Sequence, residues 1–248
     1  MMRPGMRRGS ALGRLLGLGF VSALALSASP SVAGATSLAD LFGGASIVAE
    51  DKVFSNWTLL VHQTSGGATA DLTAIDVSPI LGDPLNPGVA YSAPLGSLAT
   101  PFGHLGPSHV SLTFSYVVNT VSQQPLIKDN SLELIDFVFD SGPAAFIQVT
   151  ETVTDAAGGP VGDKLVIATP NDFPGSGNPN HFDEIVFPTQ WLLHVVTRIE
   201  IQGPGDNDGA HLLAFEQRFS QVPEPGTAML VAFGVGGLAT LRRRRSIG

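Results

Sequence analysis

Val110-Ser-Leu-Thr-Phe-Ser-Tyr-Val-Val118 decides the fold class of this chain. Val110, Leu112, Phe114, Tyr116 and Val118 fall on one side, and Ser111, Thr113, Ser115 and Val117 on the other. Side chains on a β-strand point alternately to opposite faces, so this two-residue period predicts a strand with one face in a core. A helix would instead need apolar residues three and four apart.

The same period recurs on both sides of that stretch. Asn56–His62 carries Trp57, Leu59 and Val61 on one face, and Asp71–Ser78 sets Leu72, Ala74 and Asp76 against Thr73, Ile75 and Val77. Leu132, Leu134, Asp136 and Val138 oppose Glu133, Ile135, Phe137 and Phe139. Phe146–Thr154 sets Phe146, Gln148, Thr150 and Thr152 against Ile147, Val149, Glu151 and Val153. Lys164–Thr169, Glu184–Phe187, Leu192–Ile201 and His211–Ser220 complete the set. Ser37-Leu-Ala-Asp-Leu-Phe42 reads as a single helical turn capped by Ser37.

Between these runs lie turn residues: Gly66-Gly67, Asp83–Gly88, Ser141-Gly142-Pro143, Gly158-Gly159-Pro160 and Gly203-Pro204-Gly205. Pro170–Pro179 is too rich in breakers for a strand and is expected to be a surface loop. About nine to eleven strands in one domain predict an all-β, two-sheet antiparallel β-sandwich of jelly-roll or immunoglobulin-like type.

Charge separates this body from its two ends. Eight of the 13 Lys+Arg are Arg3, Arg7, Arg8, Arg14 and Arg242–Arg245, whereas all of the 21 Asp+Glu but Glu224 precede Val222. Five cations against twenty acids leave the body near −15. Such a field repels nucleic acid, which is therefore not an expected partner. Cysteine is absent, which excludes disulfides, thiolate metal sites and a cysteine nucleophile.

Four arginines followed by apolar Leu15–Leu26 and then small residues have the order of a secretory signal peptide. Cleavage is expected after Ser31-Val32-Ala33 or Ala33-Gly34-Ala35, so Ala33 and Ala35 mark the cut, and the partners implied are a secretory translocon and signal peptidase. Arg7-Arg8 raises the twin-arginine route, but no Phe-Leu pair follows, which favours the general one.

The body shows no catalytic signature. No Gly-x-Ser-x-Gly elbow, P-loop, dinucleotide fingerprint or His-Glu-x-x-His occurs. His104 and His109 share one Gly/Pro loop, and His181-Phe-Asp-Glu184 places an imidazole beside two carboxylates. Gly205-Asp-Asn-Asp-Gly209 offers oxygen ligands from Asp206, Asn207 and Asp208, chemically suited to calcium, but a plain β-turn accounts for the same residues. Trp57, Trp191, Tyr91 and Tyr116 read either as core or as a sugar-stacking face.

Thr227–Leu241 is an uncharged run of 15 residues, preceded by Pro223-Glu224-Pro225 and followed by Arg242, Arg243, Arg244 and Arg245. As a helix it would extend about 22 Å, short of the ~30 Å hydrocarbon core. The arginines would stay cytoplasmic and the body would face outward.

This three-part order resembles the PEP-CTERM sorting domain of Gram-negative bacteria. The resemblance implies that Pro223, Glu224 and Pro225 are read by an exosortase-type membrane protease. It also implies that Thr227–Leu241 is a temporary membrane anchor and Arg242–Arg245 the stop signal. Such proteins reach the cell surface or the matrix of exopolysaccharide producers. The expected organisation is therefore a signal peptide at 1–35, a sandwich ectodomain at 36–221 and a sorting tail at 222–248. The expected function is that of a non-enzymatic surface or matrix protein which binds exopolysaccharide or another surface protein, without a cofactor. Two alternatives stand beside it: a secreted polysaccharide hydrolase using carboxylates such as Asp183 or Glu184, and a calcium-dependent adhesin.

Overall fold

The computed structural model describes residues 31–32, 34–121, 126–140, 142 and 144–222. In chain order its strands are β1 Ser31–Val32, β2 Thr36–Ser37, β3 Ser46–Ala49, β4 Lys52–Ser65, β5 Thr69–Ala70, β6 Asp76–Ile80, β7 Gly88–Ser92 and β8 Leu98–Thr100. There follow β9 Ser108–Thr120, β10 Ile127–Phe139, β11 Phe146–Asp155, β12 Pro160–Ala168, β13 Phe182–Gln190, β14 Leu192–Gly203 and β15 Ala210–Arg218. One short helix, α1 Leu38–Phe42, and a 3-10 turn, Pro179–His181, accompany them.

The strands form two packed sheets. Sheet A has the order β1-β3-β4-β9-β14-β11-β12, and sheet B the order β13-β10-β15-β7-β6-β2, with β8 also pairing β15 and β5 pairing β8. All pairings are antiparallel except the two-residue contact of β1 with β3. The all-β antiparallel sandwich expected from the alternation is therefore the fold.

β9 is central in sheet A, and Val110, Leu112, Phe114, Tyr116 and Val118 are all buried. Between the sheets Trp57 stacks on Tyr116 with ring centroids 4.4 Å apart, and Tyr91 on Phe215 at 4.2 Å. Burying each such side chain contributes about 1.5–3 kcal/mol. Trp57, Tyr91 and Tyr116 are thus core and no sugar-stacking face, while Trp191 is 40% exposed.

Strict alternation fails where a strand bulges. In β10 the pairing with β15 shifts at Asp136, so Leu132 and Leu134 point inward but so does Phe137, leaving Ile135 and Val138 exposed. An extra residue in one strand reverses the phase of every side chain beyond it. In β4 the register slips between Ser55 and Thr58 and again between Leu59 and Val61, with Asn56 at φ 56°. Trp57 is consequently buried while Leu59 and Leu60 are exposed.

The segment Asp71–Ser78 is a strand only from Asp76. Asp71 accepts hydrogen bonds from the N–H of Thr73 at 3.0 Å and from its hydroxyl at 2.6 Å, which closes a turn in place of a strand. The helical turn is capped as expected, the Ser37 hydroxyl accepting from the Asp40 N–H at 3.1 Å. Gly66 sits at φ 62°, where an added Cβ would lie 2.2 Å from the Pro107 carbonyl oxygen, so this hairpin end requires glycine.

Candidate functional site

One end of the sandwich gathers the last described residues of the chain. Gln221 donates its backbone N–H to the Leu85 carbonyl at 3.0 Å, and Val222 donates to the Leu126 carbonyl at 3.0 Å. The Gln221 side chain is also held at both ends: its Nε2 donates to the Pro84 carbonyl at 2.6 Å, and its Oε1 accepts from the ammonium of Lys52. Lys52 is fully buried and also donates to both carboxylate oxygens of Asp51, at 2.7 and 2.8 Å. Burial pulls the Lys52 ammonium below the usual lysine range, against the opposing pull of Asp51. Two residues earlier, Phe219 is buried edge-on against Phe54 at 5.6 Å. The last described residues are therefore clamped to the sandwich.

Around this clamped base several apolar side chains are exposed, beside the exposed carboxylates of Glu50 and Asp83. Leu81, Leu85, Val121, Trp191 and Val222 are each at least 39% exposed. They belong to one end of the molecule, because Val121 donates to Asp51, Thr120 to Trp191, and Gly82 to the Glu50 carboxylate.

A second polar cluster lies inside the sandwich. Glu151 on β11 and Lys164 on β12 are register partners, both side chains fully buried, with Lys164 Nζ 2.6 Å from Glu151 Oε1. Gln217, from β15 of the opposite sheet, donates Nε2 to Glu151 Oε2 and to the Thr197 hydroxyl at 2.8 Å. Its Oε1 accepts from the hydroxyls of Tyr91 at 2.9 Å and Tyr116 at 2.5 Å. Asn130, on β10, is fully buried, hydrogen-bonds Glu151, and donates Nδ2 to the Arg218 carbonyl at 3.1 Å. Burial pushes the Glu151 carboxyl above the ordinary carboxylate range, against the pull of Lys164, Gln217 and Asn130 in the other direction. Burial likewise pushes Tyr91 and Tyr116 well above the usual phenol range. The sequence signal for this cluster is a charged residue at an inward position: Glu151 shares a face with Ile147, Val149 and Val153.

The other sequence candidates are dispersed. Asp206 accepts from the Gly106 N–H at 2.7 Å, and Asp208 accepts from the Gly205 N–H at 2.9 Å, so both carboxylates close loops. Asn207, between them, takes φ 68°. Among the described residues no three His, Asp or Glu side chains are grouped as a metal ion would require. Asp183 accepts from the Leu165 N–H at 2.9 Å and the Glu184 N–H at 2.8 Å, bracing β12. Asp183 and Glu184 are adjacent on β13 and so project to opposite faces. His181 is buried against the Phe137 ring, centroids 5.1 Å apart, with Nε2 3.7 Å from Asp172 Oδ2. An open groove runs beside it, with Glu133 as its one lining carboxylate. His104 and His109 are half-buried, and His109 lies 3.8 Å from Glu200.

Ala35 is exposed just before β2, whereas Ala33, Pro223, Glu224, Pro225 and Arg242–Arg245 lie outside the described residues. So do most of the expected signal peptide and the apolar run Thr227–Leu241. No helix among the described residues is long and apolar enough to cross a membrane.

Residues 221–245 match the family model of the PEP-CTERM protein-sorting motif. The match begins at the clamped Gln221. No curated protein matches the chain. Among solved structures it is similar to a glycosylation-associated protein complex (Gap123) from Streptococcus agalactiae, at 11% identity over 50% of this chain, TM-score 0.26. The chain spans 22% of the length of that structure. A DUF4465 family protein from Bacteroides caccae is 12% identical over 64% of this chain and 98% of its own, TM-score 0.22. A β-sandwich carbohydrate-binding module is 9% identical over 71% and 93%, TM-score 0.18. Likenesses this distant establish neither a shared function nor a shared strand order.

Proposed function

We propose that this chain is a non-enzymatic surface or matrix protein whose acidic sandwich is delivered outside the cell by its sorting tail. The match of residues 221–245 to the PEP-CTERM protein-sorting motif carries the reading, since that motif marks an exported protein processed by exosortase. Membrane anchoring by Thr227–Leu241 is transient in this reading, and Pro223-Glu224-Pro225 is the segment the protease grips. Two prolines fix φ and remove backbone donors, so neither β15 nor a following helix can absorb the motif.

The clamped base supports the same reading. From Val222 to Thr227 the chain can reach no more than about 17 Å. The end bearing Leu81, Leu85, Val121, Trp191 and Val222 therefore faces the bilayer while the anchor is in place. Its exposed apolar side chains suit the interfacial zone, and Trp191 suits it best. Polysaccharide or another surface protein is the expected ligand once the protein is released.

Pro223→Ala combined with Glu224→Ala is expected to leave an uncut precursor in the membrane fraction. Mass spectrometry of cell fractions decides the matter. Processing of the double variant at the wild-type position would overturn the sorting reading.

A further inference from the structure

A buried Lys–Glu pair is a poor way to stabilise a core, because removing two charges from water is rarely repaid by their mutual attraction. This body has only five cations, and one of them, Lys164, sits fully buried between the sheets. Its carboxylate partner Glu151 is also hydrogen-bonded by the carboxamide of Asn130. An amine, a carboxyl group and a carboxamide from β12, β11 and β10 thus share one dry pocket. The Asn130 Oδ1 is buried there with no hydrogen-bond partner.

We propose that Lys164 and Asn130 become joined by an intramolecular amide bond, with Glu151 carrying the protons. The 2.6 Å contact lets Glu151 take one proton from the ammonium, leaving a neutral amine and a neutral carboxylic acid. Low polarity favours that neutral pair over the ion pair, in accord with the upward displacement of the Glu151 carboxyl. Rotation of the Asn130 carboxamide about Cβ–Cγ then turns its bare carbonyl to the protonated carboxyl, which polarises it, and the Nζ lone pair attacks Cγ. The Cγ–Nδ2 bond breaks as the new Cγ–Nζ bond forms. Nδ2 departs as ammonia, taking its third hydrogen through Glu151 from Nζ. Atoms and charge balance, and no oxidant, metal or second substrate takes part.

Two features make an unreactive carboxamide competent. Fixed neighbours raise the effective concentration of the amine to about 10⁵–10⁸ M in favourable geometries. The surrounding core, including Leu132, Val149 and Val166, excludes water that would compete or re-solvate the amine. Gln217 also touches Glu151, but its amide is bonded at both ends by Thr197, Tyr91 and Tyr116. Moreover β12 packs against β10, and Glu151 touches both Lys164 and Asn130, which brings the two strands' side chains to one carboxyl group. The bond would tie β12, the outer strand of sheet A, to sheet B.

The test is mass spectrometry of the folded wild-type protein recovered from cells and digested under denaturing conditions. The peptides holding Asn130 and Lys164 are expected as one linked species, lighter than their sum by one ammonia. Asn130→Asp should give the same link with loss of one water instead. Glu151→Gln should leave the two peptides free while the protein stays folded by circular dichroism. Free, unmodified wild-type peptides would overturn the proposal, whatever the variants do. A link mapping to Gln217, or one that forms undiminished in Glu151→Gln, would overturn the assignment of Asn130 or of Glu151.

Discussion

Gln221→Ala should loosen the base of the sorting tail without unfolding the sandwich. The substitution removes two side-chain hydrogen bonds, one from the Lys52 ammonium and one to the Pro84 carbonyl. A hydrogen bond to a charged group contributes about 1.5–3 kcal/mol and a neutral one about 1 kcal/mol. Lys52 keeps both bonds to Asp51, so no buried charge is orphaned. The free energy for opening the last two residues should fall by about 2.5–4 kcal/mol, equivalent to about 70- to 900-fold faster exchange of the Gln221 and Val222 amides. Fraying should stop at Phe219, whose N–H is held by the Pro87 carbonyl at 2.8 Å and whose ring is buried on Phe54. Hydrogen exchange followed residue by residue is the assay, with Gln221→Glu as a variant that restores a partner for Lys52. Unchanged exchange at Gln221 and Val222 would refute the clamp. Equal acceleration at Phe219 would refute the claim that it is local.

Acid should act on the loop between β12 and β13. Burial draws the Asp172 carboxyl up, but bonds from the Thr169 N–H and hydroxyl and from Asn178, with His181 nearby, outweigh it and hold the carboxyl below its usual range. Its contribution to loop stability is therefore complete above the unfolded value of about 3.9 and is lost as pH falls through the folded one. Protection of the Thr169 amide, measured against the intrinsic exchange rate at each pH, should fall over that acid range in the wild type, and in Asp172→Asn it should be low and show no such fall. Calcium should leave the melting temperature unchanged relative to chelator, since among the described residues no three His, Asp or Glu side chains are grouped to hold it. A rise that grows with calcium concentration would instead show binding to the native state.

The sandwich was legible because alternation is a local property: Val110–Val118 needs no knowledge of its neighbours to show an inner and an outer face. The sorting tail was legible for a similar reason, since prolines, an apolar run and an arginine block act through their order in the chain. Phe137 could not be placed correctly, because the bulge at Asp136 depends on the pairing of β10 with β15 and flips the phase beyond it. Asp71 misled because its carboxylate competes with the sheet for local N–H groups.

Sequence alone, then, determined the fold class of this protein, its acidic composition and the sorting motif at its end, all of which follow from period, composition and order along the chain. Only the tertiary structure decided that Lys164, Glu151, Asn130 and Gln217 meet in the core, and that Lys52 reaches Gln221 across 169 positions to clamp the root of the tail. Charged side chains along a strand look solvated until the opposing sheet is in place. Which of them lose their water depends on the strand order, and strand order is set by non-local packing.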